Sequence, residues 1–165
     1  MKNLTLKKIS EICNGKLYAD KRIENIEISS ITTDSRKVEK DCMFVAIKGE
    51  RVDGNKFING AYEDGAIVCL SEDKPDKNGI SISEKNGYIV VKSCFQALKD
   101  IAEYYREVMN TKIVGITGSV GKTSTKEMLA AVMSEKFNTL KTQGNFNNEV
   151  GVPLTLFRLS EEHEL

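Results

Sequence analysis

The stretch Gly115-Ile116-Thr117-Gly118-Ser119-Val120-Gly121-Lys122-Thr123-Ser124 holds the residue types that phosphate chemistry needs. Glycines at 118 and 121 let backbone N–H groups wrap a polyphosphate, and a helix opening at Lys122 adds the positive end of its dipole. In such a loop Gly118, Ser119, Val120, Gly121, Lys122, Thr123 and Ser124 cradle a nucleoside triphosphate, and Thr123 presents its hydroxyl to Mg²⁺. Lys122 reaches the outer phosphates and stabilises charge developing on them, which makes it the catalytic candidate. The usual pattern has four residues between its two glycines, whereas five separate Gly115 from Gly121. A chance Gly-Lys-Thr in an ordinary turn is the plain alternative. It is disfavoured because strand, loop and helix signals follow in the required order, so the variant spacing points to a particular kind of ATPase.

Several elements must position this loop. Ile113, Val114 and Ile116 predict a strand over 112–117, buried on both faces of a parallel sheet. Met128, Leu129, Val132 and Met133 predict an amphipathic helix over 122–136. A neighbouring strand is expected over 138–141, ending in the amide-rich loop 142–149. A helix over 150–159 follows, with Pro153 tolerated in its first turn. Asn145 and Asn148 have two uses open to them. Either they are turn residues, or they make polar contact with phosphate or substrate from the same sheet edge.

The first half reads as a smaller α/β unit. Thr5 caps a short helix carrying Leu6, Ile9, Ile12 and Cys13, closed by Gly15 in the left-handed conformation. Short strands are expected over 16–18 and 23–29, then a polar loop over 32–38. The segment 42–47 is the strongest strand of this half, and it runs into a glycine-containing loop over 48–54 at the kind of strand end where open α/β sheets place ligands. A short helix over 55–63, a buried strand over 66–70, a charged surface loop over 71–86 and a strand over 88–91 complete it. Ser93 and Gln96 form a capping box before Leu98, Ile101, Ala102, Tyr105, Val108 and Met109. The domain boundary is expected near 92, giving domains 1–92 and 93–165.

Composition narrows the partners. Lys+Arg and Asp+Glu are equal at 24 each among 165 residues, so no net field draws in nucleic acid or an anionic membrane. The N-terminus turns charged before an apolar stretch of signal-peptide length forms, and no window approaches a membrane span. Cys13, Cys42, Cys69 and Cys94 lie far apart, without a Cys-x-x-Cys pair. They are expected to be reduced core residues of a cytoplasmic protein.

Three stretches coincide with one family. Thr33-Asp34-Ser35-Arg36, followed by the segment from Met43 to Gly54, resembles the uridine-nucleotide domain of the later Mur ligases of peptidoglycan synthesis. The loop from Gly115 to Thr123 resembles their ATP loop and accounts for its spacing. The segment from Gly144 to Thr155 is similar to the members that add D-alanyl-D-alanine, rather than to the sibling that adds the third, diamino-acid residue. The resemblance implies a small α/β substrate domain followed by the start of a P-loop, mostly parallel-sheet ATP-binding domain. It implies ATP and Mg²⁺ as cofactors, with UDP-N-acetylmuramoyl tripeptide and D-alanyl-D-alanine as substrates joined through an acyl phosphate. Ser35, Arg36 and Arg51 become candidates for the uridine nucleotide, and Asn145 and Asn148 for substrate or phosphate. Family members continue beyond this point into further catalytic residues and a third domain. The chain is therefore expected to be a piece of a longer enzyme, without turnover alone. A non-catalytic UDP-sugar or ATP-binding module and a stand-alone P-loop hydrolase are the readings from other classes.

Overall fold

The computed structural model describes residues 1–50, 52–144 and 148–165. The chain divides into two compact units, Met1–Ile101 and Ala102–Leu165.

The first unit is built on a five-stranded sheet. Its strands are β1 (Lys16–Tyr18), β2 (Ile31–Thr32), β3 (Met43–Val45), β4 (Val68–Ser71) and β5 (Gly87–Val90), in the spatial order β1-β5-β4-β3-β2. From β2 to β5 the pairing is parallel, whereas β1 runs antiparallel to β5 with Lys16 opposite Val90. One rung of the register joins Phe44, Cys69 and Tyr88, and these pack with Ile58 and Ala61 of helix α2 (Ile58–Glu63). Their neighbours Met43, Val45, Val68, Leu70 and Ile89 are also fully buried. Strands covered on both faces read as continuous apolar runs, which is why 42–47 and 66–70 were conspicuous.

Helix α1 (Leu6–Ile12) is capped as expected, the Thr5 hydroxyl accepting from the Lys8 amide at 3.1 Å. Its close differs from expectation. Asn14 takes the left-handed backbone at φ 48°, and Gly15 is needed for a different reason. A Cβ on Gly15 would lie 2.8 Å from Ile89 Cγ2 and 3.1 Å from the Val90 carbonyl.

The strand expected over 23–29 does not form. That segment turns at 21–25, buries Ile23 and Ile28 from irregular backbone, and leaves Ile26 exposed. The strand beside β3 is instead Ile31–Thr32, which ends on the first residue of the stretch expected to be loop. The capping box before helix α3 (Cys94–Met109) is half made. The Gln96 amide donates to Ser93 Oγ at 3.3 Å, but the Gln96 side chain turns to Asp100.

The second unit holds the end of α3, helix α4 (Lys122–Ser134) and helix α5 (Gly151–Leu156). Tyr105 packs at a tilt on Phe157, ring centroids 6.5 Å apart, and its hydroxyl donates to the Leu159 carbonyl at 2.9 Å. The expected strand over 112–117 is not formed among the described residues. Ile113 and Val114 are 49% and 52% exposed, since a parallel strand needs laddered neighbours that this stretch lacks. The segment 138–141 pairs differently from expectation as well. The Leu140 amide donates to the Leu165 carbonyl at 2.8 Å, and the Glu164 amide to the Asn138 carbonyl at 2.9 Å. The predicted apolar stripe of α4 is split: Leu129 and Met133 face a cavity, while Met128 and Val132 are exposed.

Candidate functional site

The phosphate loop opens α4 in the manner its sequence requires. Gly118 has φ 150° and Gly121, the residue before the helix, has φ 81°, a backbone that side-chain-bearing residues resist. Among the described residues no side chain caps the first amides of α4, and no acidic residue lies in its first turn. Those N–H groups are therefore available to an anion, in the field of the helix dipole. The Lys122 ammonium bends back over the loop and donates to the Gly118 carbonyl at 2.5 Å. Gly118, Ser119, Val120, Gly121, Thr123 and Ser124 are exposed. A loop of bare amides closed by its own lysine fits a polyphosphate.

Beside the loop lies a cavity of about 480 Å³, lined by Gly115, Ile116, Lys122, Thr123, Lys126, Thr142 and Gly144 among others, with Leu129 and Met133 on its apolar side. This is within the size range of small-molecule sites. Of the predicted phosphate-cradling residues 118–124, Lys122 and Thr123 are the ones that line it. Thr123 offers the hydroxyl that suits a magnesium ion held by phosphates. Among the described residues no group of three His, Cys, Asp or Glu side chains is placed to hold a metal by itself.

Sequence reasoning missed Lys126. Its ammonium donates to the Thr142 carbonyl at 2.7 Å and the Gly144 carbonyl at 3.1 Å, and lies 3.2 Å from Glu127. The signal was its spacing: four residues after Lys122, it shares a helix face with the loop lysine. Glu127 also pairs with Lys141, and the two lysines, Lys141 first, hold its carboxyl below the usual range.

Asn148 shows the local one of its two possible uses. Its side-chain oxygen accepts from the Gly151 amide at 2.7 Å and the Val150 amide at 3.3 Å, ordering the start of α5. Asn145 and Arg51 lie outside the described residues.

In the first unit, β2 and β3 are parallel neighbours, so the segments that follow them share one sheet edge. After β2, Ser35 to Lys37 form a 3₁₀ turn in which the Arg36 amide is capped by the Asp34 carboxylate. Arg36 grips the same carboxylate with two nitrogens, Nε at 2.9 Å and Nη2 at 2.8 Å, while its side chain is 86% exposed. Those hydrogen bonds hold the Asp34 carboxyl down to about 2. After β3, the loop is pinned by Gly54 N–H to the Ile47 carbonyl and by Gly49 N–H to the Val52 carbonyl, both 2.9 Å.

A half-buried polar cluster that sequence reasoning also missed ties this loop to the next. Ser71 Oγ donates to Asn55 Oδ1 at 2.6 Å, Asn55 Nδ2 donates to Asp53 Oδ1 at 2.8 Å, and Asn78 Nδ2 donates to the Tyr88 hydroxyl at 3.0 Å. Its members come from segments far apart in sequence, so no local pattern announces it. Cys42, Cys69 and Cys94 are buried as expected, and burial pushes Cys69 and Cys94 up to about 12. No helix among the described residues is long and apolar enough to cross a membrane.

Residues 27–106 match the model of the Mur ligase family, catalytic domain, and residues 116–165 that of the Mur ligase middle domain. A UDP-N-acetylmuramoyl-tripeptide–D-alanyl-D-alanine ligase of Bacillus subtilis is 37% identical over 98% of this chain, and that of Escherichia coli 39% identical over 99%. The chain spans about a third of each, 34% of their length. A crystal structure of MurF from Acinetobacter baumannii superposes with a TM-score of 0.84 at 36% identity, over 98% of this chain and 34% of that one. MurF from Thermotoga maritima, solved in complex with ADP, gives 0.70 at 33% identity, over 82% of this chain and 30% of that one. The mixed sheet of the first unit and the glycine-lysine loop of the second thus fall, in that order, under two successive models of one family, and the chain belongs to the Mur ligases.

Proposed function

We propose that this chain supplies the substrate-holding and nucleotide-holding parts of an ATP-dependent ligase that joins D-alanyl-D-alanine to UDP-N-acetylmuramoyl tripeptide. The observation that carries this is the identity of 37% and 39%, over nearly the whole chain, to ligases named for that reaction. Residues 1–92 form the UDP-muramoyl-substrate domain, and 93–165 the first part of a P-loop ATP-binding domain. The work is cytoplasmic, in keeping with cysteines that carry no disulfide.

The tripeptide's terminal carboxylate takes the γ-phosphoryl group of ATP, the dipeptide amine attacks the acyl carbon, and phosphate leaves as the amide forms. Such transfer needs positioning and charge neutralisation more than a protein nucleophile. The amides of Gly118, Ser119, Val120 and Gly121 hold the β-phosphate, with Ser124 completing the first turn. Lys122 exchanges the Gly118 carbonyl for a phosphate oxygen, and Thr123 turns its hydroxyl to Mg²⁺. Ser35 and Arg36 hold the uridine nucleotide at the edge where β2 and β3 end, and Arg51 is a further residue assigned to it. Asn145 and Asn148 reach substrate or phosphate, Asn148 through the amide nitrogen that its turn leaves over.

Calorimetric titration of the chain with UDP-N-acetylmuramoyl tripeptide and, separately, with ADP and Mg²⁺ tests this. Micromolar binding of the UDP-peptide is the expected result. Nucleotide binding without any UDP-peptide binding would overturn the muramoyl assignment and favour a stand-alone P-loop hydrolase. The 165 residues alone bind without turning over, and dipeptide-dependent phosphate release by them would disprove that.

A further inference from the structure

The Lys126 side chain reaches out of α4 to hold the backbone of another segment at two points. Its side chain is 17% exposed, and an ammonium so covered needs partners for its N–H groups. It has three: the carbonyls of Thr142 and Gly144, at 2.7 and 3.1 Å, and Glu127 at 3.2 Å. Glu127 in turn holds Lys141, so two consecutive residues of α4 grip the segment 141–144. Both ends of this grip face one cavity, since Lys122, Thr123, Lys126, Thr142 and Gly144 all line it. The donors of Lys126 are occupied by the protein, whereas Lys122 spends its own on a loop carbonyl that a phosphate oxygen can replace. Two lysines one helical turn apart therefore do different jobs.

We propose that Lys126 is a positioning residue: it takes no phosphate itself, but locks the 142–144 wall of the cavity to the helix that carries Lys122 and Thr123. Occupancy of the phosphate loop is thereby felt in the 142–144 segment. The proposal rests on the nucleotide role of that loop and goes further by giving Lys126 the task of coupling the two walls.

Amide hydrogen exchange on the full chain, with and without ADP and Mg²⁺, tests it in the wild type, K126M and K126R. In the wild type, nucleotide slows exchange in both 115–124 and 140–144. In K126M the nucleotide still slows 115–124, while 140–144 exchanges at least tenfold faster and no longer responds. K126R, which keeps the charge and the donors, restores the response. A K126M protein in which nucleotide slows both segments as in the wild type overturns the proposal. So does a K126M protein in which 140–144 exchanges at the wild-type rate before nucleotide is added.

Two further measurements guard against ambiguity. If K126M opens the whole second unit, the wild-type Lys126 ammonium is followed by NMR. Its protons are expected to exchange slowly and to correlate with the Thr142 and Gly144 carbonyl carbons with and without ADP. Loss of those correlations on adding ADP, with a new coupling to phosphorus, makes Lys126 a phosphate ligand and overturns the proposal. Should nucleotide slow no segment of the wild-type protein, the phosphate-loop assignment fails, while the nucleotide-free exchange rates of 140–144 still decide whether Lys126 holds that wall.

Discussion

Lys122 and Arg36 illustrate how much depends on what a cationic side chain does before its ligand arrives. Lys122 sits on a carbonyl of its own loop, so replacing it removes a phosphate partner and costs the empty protein one exposed hydrogen bond. K122M is expected to weaken ADP by about 1.5–3 kcal/mol, the worth of a charged hydrogen bond, with an unchanged circular dichroism spectrum. Calorimetry measures the first and spectroscopy checks the second. Arg36 is held by Asp34 in a two-point grip, which presents a fixed, exposed guanidinium at the sheet edge. The Asp34 carboxyl is lowered from 3.8 to about 2, so the pair's contribution is fully present above about 3.8 and fades as pH falls through 2. NMR titration of the Asp34 carboxylate carbon is expected to show a midpoint near 2, rising in R36A but staying below 3.8, because the amide of residue 36 still donates to the carboxylate. The thiols behave oppositely: burial leaves Cys69 and Cys94 protonated at pH 8, so iodoacetamide is expected to leave both unmodified in the native chain and to label them after denaturation.

Among the elements, those with their own strong apolar signal were legible in the sequence, and those defined by partners were not. Residues 42–47 and 66–70 announce β3 and β4 because a strand covered on both faces needs no alternation. β2 is two residues long and exists because β3 offers it a ladder, a fact no local pattern contains. The phosphate loop was legible because two glycines and a lysine do its work locally. The Asn55–Ser71–Asn78–Tyr88 cluster was not, and of Lys126 only its spacing from Lys122 was, because their partners lie many positions away. Gly15 shows the same limit. Its presence after a helix was explained by a cap, whereas its packing against Ile89 and the Val90 carbonyl demands it. G15A is therefore expected to destabilise the first unit by about 1–3 kcal/mol through overpacking, read as a lower urea midpoint with an unchanged slope.

Taken whole, the chain carries two units of unequal solidity. The first is a sheet covered on both faces. The second gathers its burial around Tyr105, Ala130, Phe157 and Leu159, and leaves Ile113, Val114, Met128 and Val132 in solvent. Local opening follows such differences. Amides of α4 and α5 are expected to exchange through openings of lower free energy than those of β3, β4 and β5. ADP at a hundred times its dissociation constant should raise the protection of α4 by about 2.7 kcal/mol at most and leave the strands unmoved. Protection of α4 equal to that of β4 without ligand would contradict this ordering.

The antiparallel pairing of β1 with β5 has a consequence for how the protein is made. Lys16 is synthesised well before its partner Val90, and β5 must lie against β4 before β1 has an edge to join. On the ribosome, β1 therefore emerges long before it has anywhere to go. Its three residues, carrying one lysine and one tyrosine, are too short and too polar to recruit a wrong edge during that wait.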